Sequence, residues 1–279
     1  MSTGEGPLSP ELLGGLLGPL GTPWGVVLRV QDPAEGSRHH GDAGWIPLEA
    51  FLAGLPARHA AAVVDDPDPQ RHAADLVPWA LGLPAAGFVL PALLLDLLPT
   101  TARTTGLASW LVHRHPDGYL DGVALPSGTW GQHGPAAGTV AERVVALVDP
   151  WLRQLCRVLP ITARTAWGGV VDALTGSTLA AARAGLGACP EVVWHRQDRL
   201  LDELAARVPL PAKPRRVDVA HTGGRSIYTV RCTCCLHYRT HPAPDRDGDG
   251  YCATCPLRTD RSRLQRLTAH AEQSLEQAS

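Results

Sequence analysis

The sequence predicts an α+β protein: a helix-rich body with a modest sheet, and a small cysteine-rich lobe near the C-terminus. Three observations predict it. Apolar stripes at helical spacing recur, as at Val140, Val144, Leu147 and Val148. A few short β-branched runs are bounded by turn residues, as in Trp24–Val30 (WGVVLRV), which lies between Pro23 and Asp32-Pro33. Five of the seven cysteines fall between Cys232 and Cys255.

Taken in order, Trp24–Val30 is the first strand. The most apolar stretch, Trp79–Leu98, is interrupted by Gly82, Pro84, Gly87, Pro91 and Asp96. That row of breaks predicts two short buried helices rather than a membrane span. Tyr119–Leu125 is a second, weaker strand. The stripe from Val140 to Val148 predicts a helix. Asp149-Pro150 then reads as an N-cap followed by proline at the first position of a new helix through Trp151, Leu152, Leu155 and Leu159. Thr162–Leu174 is a further helical run, stopped near Gly176. Around Val208–Arg216 (VPLPAKPRR), three prolines and three basic residues break the helical pattern. This divides residues 1–210, the body, from residues 211–279, the cysteine-bearing lobe with a terminal helix. In the lobe, Ser226–Arg231 follows the Gly223-Gly224 turn signal as a strand, and Leu264, Leu267, Ala271 and Leu275 stripe the last helix.

The 279 residues are enough for a real hydrophobic core. Hydrophobic residues make up 44% and charged residues 19%, which argues against disorder. The net charge of -2 gives no global pull toward nucleic acid or an anionic membrane. Met1–Pro10 has no basic segment leading into an apolar core, so the expected location is the cytoplasm.

In a reducing compartment a tight cysteine cluster points to metal rather than disulfides. Soft thiolates suit iron, and four of them satisfy a [2Fe–2S] core, two on each iron. Cys252 and Cys255 form a CxxC pair that can curl around one centre. Cys234 and Cys235 are adjacent, and neighbours on a continuing strand face opposite ways. The chain must bend there for both thiolates to reach one centre. Cys232 and Cys234 would share a strand face, so geometry alone leaves that pair open as ligands.

The segment resembles the siderophore-iron reductases of the ferric hydroxamate reductase family, whose C-terminal signature is C-C-x10-C-x2-C. Cys234 and Cys235 match the adjacent pair, and Cys252 and Cys255, followed by Pro256-Leu257-Arg258, match the CxxC. Trp167-Gly168-Gly169-Val170 looks like the family's Trp-Gly helix segment. The spacer departs from the pattern: sixteen residues separate Cys235 from Cys252, and the excess falls in the Pro/Asp/Gly-rich loop Pro242–Gly250. Such loop growth costs only about 0.6 kcal/mol per doubling. The resemblance implies a [2Fe–2S] cluster on Cys234, Cys235, Cys252 and Cys255, and one-electron reduction of ferric iron held by a siderophore. Electrons would come from a separate carrier such as ferredoxin or flavodoxin, since the chain shows no P-loop, no GxSxG elbow and no dinucleotide fingerprint around Gly185 and Gly187. Neither nucleic acid nor a membrane span is expected.

Other readings compete. A four-cysteine zinc-stabilised interaction module would use the same thiolates, although zinc ribbons pair two CxxC knuckles and this chain has one. An iron–sulfur sensor would need a recognition element, and there is no helix-turn-helix signal. Asp245, Asp247 and Asp249 imitate a calcium loop, but the twelfth position is Pro256. His237 and His241 lack Rieske spacing. Cys156 and Cys189 read as buried free thiols, and Trp167 as core. Gly168 and Gly169 inside a helical run predict close packing. Arg231, Arg239, Arg258, Arg261, Arg263 and Arg266 flank the cysteines, either as a dock for an acidic partner or as a solvated face.

Overall fold

The computed structural model describes residues 27–31, 45–64, 68–96, 98–99, 110–114, 120–126, 130–131, 139–236, 239 and 250–278. The chain is α+β, with a helix-rich body and little sheet. Strands β1 (Val27–Gln31), β2 (Trp45–Pro47), β4 (Leu111–Arg114) and β5 (Leu120–Pro126) form one sheet in the order β1-β5-β4-β2. β1 runs parallel to β5, and the other pairs are antiparallel. The described parts of both strands read from the sequence in the first half of the chain lie in this sheet, and Trp24–Val26 and Tyr119 fall outside the described residues. β3 (Leu98–Pro99) pairs with β6 (Trp130–Gly131).

Two short helices, α1 (Leu48–Ala53) and α2 (Leu55–Ala62), lead into α3 (Pro69–Leu95). α3 corrects the sequence reading: one continuous helix stands where two short ones were expected. Pro78, Pro84 and Pro91 all lie inside it. Each interior proline costs about 3 kcal/mol. Each fully buried Val, Leu or Phe contributes about 1.5–3 kcal/mol, and Val77, Leu81, Phe88, Val89, Leu90, Leu93 and Leu94 are all buried. By length and composition α3 could also cross a bilayer, but 78% of its apolar window is buried inside this fold.

α4 (Val140–Val158) carries a second correction, running straight through Asp149-Pro150. Its start is a capping box between Thr139 and Glu142. Val144, Val148, Leu152 and Leu155 are all buried and keep one helical phase across the proline. α5 (Ala163–Arg183) likewise continues past Gly176, because Thr178, Leu179, Ala181 and Ala182 beyond it are buried. α5 ends where Leu186 N–H reaches the Ala181 carbonyl and Gly185 takes φ +79°.

α3 and α5 run parallel and pack through glycine. A Cβ at Gly169 would stand 2.3 Å from Pro78 Cβ, and one at Gly82 would stand 2.6 Å from Ala173 Cβ. α6 (Pro190–Ala205) completes the body. The hairpin of β7 (Arg215–His221) and β8 (Gly224–Val230) follows, then α7 (Asp260–Ala278). Ile227 of the hairpin enters the main core, while Val219 and Tyr228 pack with Leu267 and Ala271 of α7. Only half of the predicted α7 stripe is buried, since Leu264 is 46% and Leu275 36% exposed.

Candidate metal centre

β8 ends at Val230, and its next residue is tied across to the CxxC turn: Arg231 N–H donates to the Thr254 carbonyl at 2.9 Å. Within that turn, Cys255 N–H donates to the Cys252 carbonyl at 3.1 Å. The two cysteine pairs are thereby brought side by side.

The Cys234 and Cys255 thiols are hydrogen-bonded to each other, and Cys255 also to Cys252. The bond to Cys255 pulls the Cys234 thiol down to about 7, with further help from the Leu236 N–H, which donates to Cys234 Sγ at 3.4 Å. Cys255 moves the other way, raised chiefly by its bond to Cys234. Cys235 and Cys252 lie within electrostatic reach of both Cys234 and Arg231. All four sequence-predicted ligands therefore lie in one neighbourhood. Cys234, Cys235 and Cys252 are half-buried and Cys255 is buried. Among the described residues, no three His, Cys, Asp or Glu side chains stand at the spacing of a directly coordinated metal ion.

The expected bend appears just after the adjacent pair. Leu236 has φ +60°, a left-handed conformation that costs a branched residue roughly 1–2 kcal/mol. Its side chain packs against the main core, and its N–H is aimed at Cys234. Strain, packing and the N–H···S bond meet in that one residue.

Cys232 is turned away. Its thiol donates to the Gly168 carbonyl at 3.4 Å, and its backbone N–H donates to Asp172 Oδ1 at 2.7 Å. Burial, then the Asp172 charge, push this thiol well above its ordinary value. Cys156 is half-buried, with burial raising its thiol as well. Cys189 corrects the sequence reading: it is exposed, because it sits at the N-terminus of α6 ahead of Pro190 rather than on an apolar face.

The arginines also separate. Arg258 is 3% and Arg263 1% exposed. Arg258 donates to the carbonyls of Cys252, at 3.2 Å, and Tyr251, and to Ser262 Oγ at 2.5 Å. Arg263 donates to the carbonyls of Cys255, at 2.9 Å, and Arg258, at 2.7 Å, and pairs with Asp260. These two guanidiniums brace the CxxC loop from inside and are not part of a solvated face. Burial alone would lower the Arg231 pKa, but Asp172, Cys235 and Cys252 together raise it. Arg239 pairs with Asp68, the N-cap of α3, at 3.0 Å. Arg261 is exposed. His237, His241 and residues 242–249 of the acidic loop lie outside the described residues.

The Trp167-Gly168-Gly169 segment lies directly beneath. Trp167 is fully buried and donates to Asp149 Oδ1 at 3.4 Å. Gly168 is capped by Thr233 and Pro211, Gly169 by Pro78. Sequence reasoning missed Asp172. The signal was present: a single acid in the apolar run Val170-Val171-Asp172-Ala173-Leu174 must find buried partners. No family model, curated protein or solved structure matches this chain.

Proposed function

We propose that Cys234, Cys235, Cys252 and Cys255 hold a [2Fe–2S] cluster and that the protein reduces ferric iron bound to a siderophore, one electron at a time. The observation that carries the reading is that those four cysteines lie in one neighbourhood while Cys232 is turned into the body. A bound cluster of this kind supplies single electrons.

The chain's own part is to present and steady the thiolates. Leu236 N–H and the Arg231 guanidinium stabilise negative charge on sulfur. Arg258 and Arg263 hold the CxxC loop in its turn. Three of the four sulfurs belong to half-buried residues, so an electron need not cross a thick layer of protein to reach a docked complex. Siderophores hold Fe(III) through hard oxygen ligands; Fe(II), with lower charge, is held far less tightly, so reduction releases it. The reaction needs no acid–base pair in the protein. Electrons come from a separate carrier such as ferredoxin or flavodoxin, and the setting is the cytoplasm, where thiols stay reduced.

A second reading has one observation in its favour. Cys255 is hydrogen-bonded to both Cys234 and Cys252, which links the two cysteine pairs, and the same four thiolates would also serve a zinc ion in an interaction module. Anaerobic purification followed by iron, sulfide and zinc analysis separates the two. About two irons and two sulfides per chain are expected. One zinc, persisting after reconstitution with iron and sulfide, sinks the redox reading. The reduced protein should then convert a ferric siderophore to product trapped by a ferrous chelator. A ferredoxin with its reductase should support turnover, and NADPH alone should not.

A further inference from the structure

Asp172 lies in the middle of α5 with its side chain only 2% exposed. A carboxylate at that depth is costly unless it is paired and hydrogen-bonded. Its partners come from three consecutive residues of one segment. Oδ1 accepts from the Cys232 N–H at 2.7 Å. Oδ2 accepts from the Thr233 N–H at 3.0 Å, from the Thr233 hydroxyl at 2.6 Å and from Arg231 Nε at 3.4 Å.

Gly168 stands one turn earlier, so both residues share a helix face. Its carbonyl accepts from the Cys232 thiol at 3.4 Å. Its missing side chain makes room for Thr233: a Cβ there would come within 2.2 Å of Thr233 Cγ2. Gly168 and Asp172 together form a landing site for Cys232 and Thr233, just past the last residue of β8. The two N–H groups captured by the carboxylate are lost to any continuing strand. Cys232 and Cys234 therefore do not present their thiols side by side, the arrangement an unbroken strand would give.

We propose that Asp172 is a positioning residue that selects the metal ligands: by seizing the backbone at Cys232 and Thr233 it removes Cys232 from the ligand set and leaves Cys234 and Cys235 to serve. This deepens the reading of the four-thiolate centre and rests on it. Cys232, Cys234 and Cys235 offer two possible pairs, and it is a carboxylate on a distant helix, not the local spacing, that chooses between them.

The test uses the full-length protein as purified. Iodoacetamide labelling of each cysteine is followed by peptide mass spectrometry, with exposed Cys189 as the internal reference. Cys232 should label slowly in the parent protein. Asp172→Asn replaces an acceptor by a donor facing two N–H groups, and should speed Cys232 labelling on the order of tenfold or more. Thr233→Ala removes the hydroxyl bond and the methyl over Gly168 but keeps the backbone N–H bond to Asp172, and should speed it about threefold. It keeps the inference testable if Asp172→Asn does not fold. Unchanged Cys232 labelling in a folded Asp172→Asn protein, or in Thr233→Ala, overturns the inference.

A second readout goes beyond local stability. Cys235→Ser should lose its metal and its visible spectrum, whereas Cys235→Ser combined with Asp172→Asn should recover both, because Cys232 is freed to replace the missing ligand. Equal loss in the two proteins also overturns the inference. Labelling reads the protein without reference to the metal's identity. A zinc protein in which Asp172 still guards Cys232 would keep this inference and end the redox reading.

Discussion

At the crossing of α3 and α5, contact is glycine against side chain, with Gly169 under Pro78 and Gly82 under Ala173. At the foot of α7, contact is guanidinium against carbonyl, with Arg258 on Tyr251 and Cys252, and Arg263 on Cys255 and Arg258. The first region gains its stability from apolar area, which has no direction. It therefore absorbs three prolines in one helix and a proline inside the next. The second region has a small apolar core of Val219, Tyr228, Leu267 and Ala271, and holds its shape with buried charges that each need a particular partner. The difference teaches where each region is fragile. The body fails when volume is added at its close contacts, and the cysteine segment fails when a single polar partner is removed.

The largest effect should come from adding volume at the crossing. Gly169→Val puts a branched side chain where even a Cβ would stand 2.3 Å from Pro78. A loss of about 3 kcal/mol or more is expected, seen as a fall in Tm and in soluble yield. A variant with unchanged Tm would show that the crossing is not the tight contact described here.

Removing a buried arginine should be nearly as costly, but local. Arg263→Met leaves the carbonyls of Cys255 and Arg258 without that donor, at about 2–3 kcal/mol. Hydrogen exchange should quicken across residues 251–267 while α3 and α5 keep their protection. Loosening of α3 to the same degree would erase the contrast between the regions.

Gly176 sharpens the comparison with the opposite sign. It lies inside α5, yet a Cβ there would meet nothing within 4 Å. Gly176→Ala should stabilise the protein by about 0.5–1 kcal/mol in a denaturant titration, through helix propensity alone. Destabilisation would mean that the glycine serves a contact after all.

The smallest effect concerns Asp218 on β7. Its hydrogen bonds to Arg216, at 2.6 Å to the nearer nitrogen, hold its pKa below the ordinary carboxylate value of 3.8. A depressed folded-state pKa contributes stability that is present above the unfolded value and fades as pH falls through the folded one. Asp218→Asn should therefore cost up to about 0.5–1 kcal/mol at pH 7. The gap to the parent protein should close below pH 3.8. A gap that persists at low pH would assign the loss to packing rather than to charge.

Much of the fold could be read from the chain, and the misreadings share one cause. The strands at Trp24–Val30 and Ser226–Arg231 were visible as β-branched runs beside turn residues, and Tyr119–Leu125 as a weaker candidate. The helices α4, α5 and α7 were visible as stripes, but the ends of α4 and α5 were not, and α1, α2 and α6 were not read from the sequence. Pro150, Gly176 and the prolines of α3 are strong local stop signals. They were overridden because buried residues on both sides kept one phase against the core. Propensity is a local quantity of a few kcal/mol, and burial is summed over a whole helix face.

The same division runs through the candidate site. Residue type and spacing singled out Cys234, Cys235, Cys252 and Cys255, because thiolates in a reducing compartment have few uses other than metal or catalysis. Spacing alone left Cys232 open, since a strand's two-residue period treats it as a partner of Cys234. It also grouped the flanking arginines as one set, because charge in a sequence carries no depth. Tertiary structure separates both sets. Asp172, far away in the chain, takes the backbone at Cys232, and the folding of the CxxC turn over α7 draws Arg258 and Arg263 inward. Sequence by itself determined which chemistry is available, since that follows from side-chain identity. Only the folded chain decided which of those side chains lie together and which turn inward, because orientation and burial depend on partners that are distant in sequence and near in space.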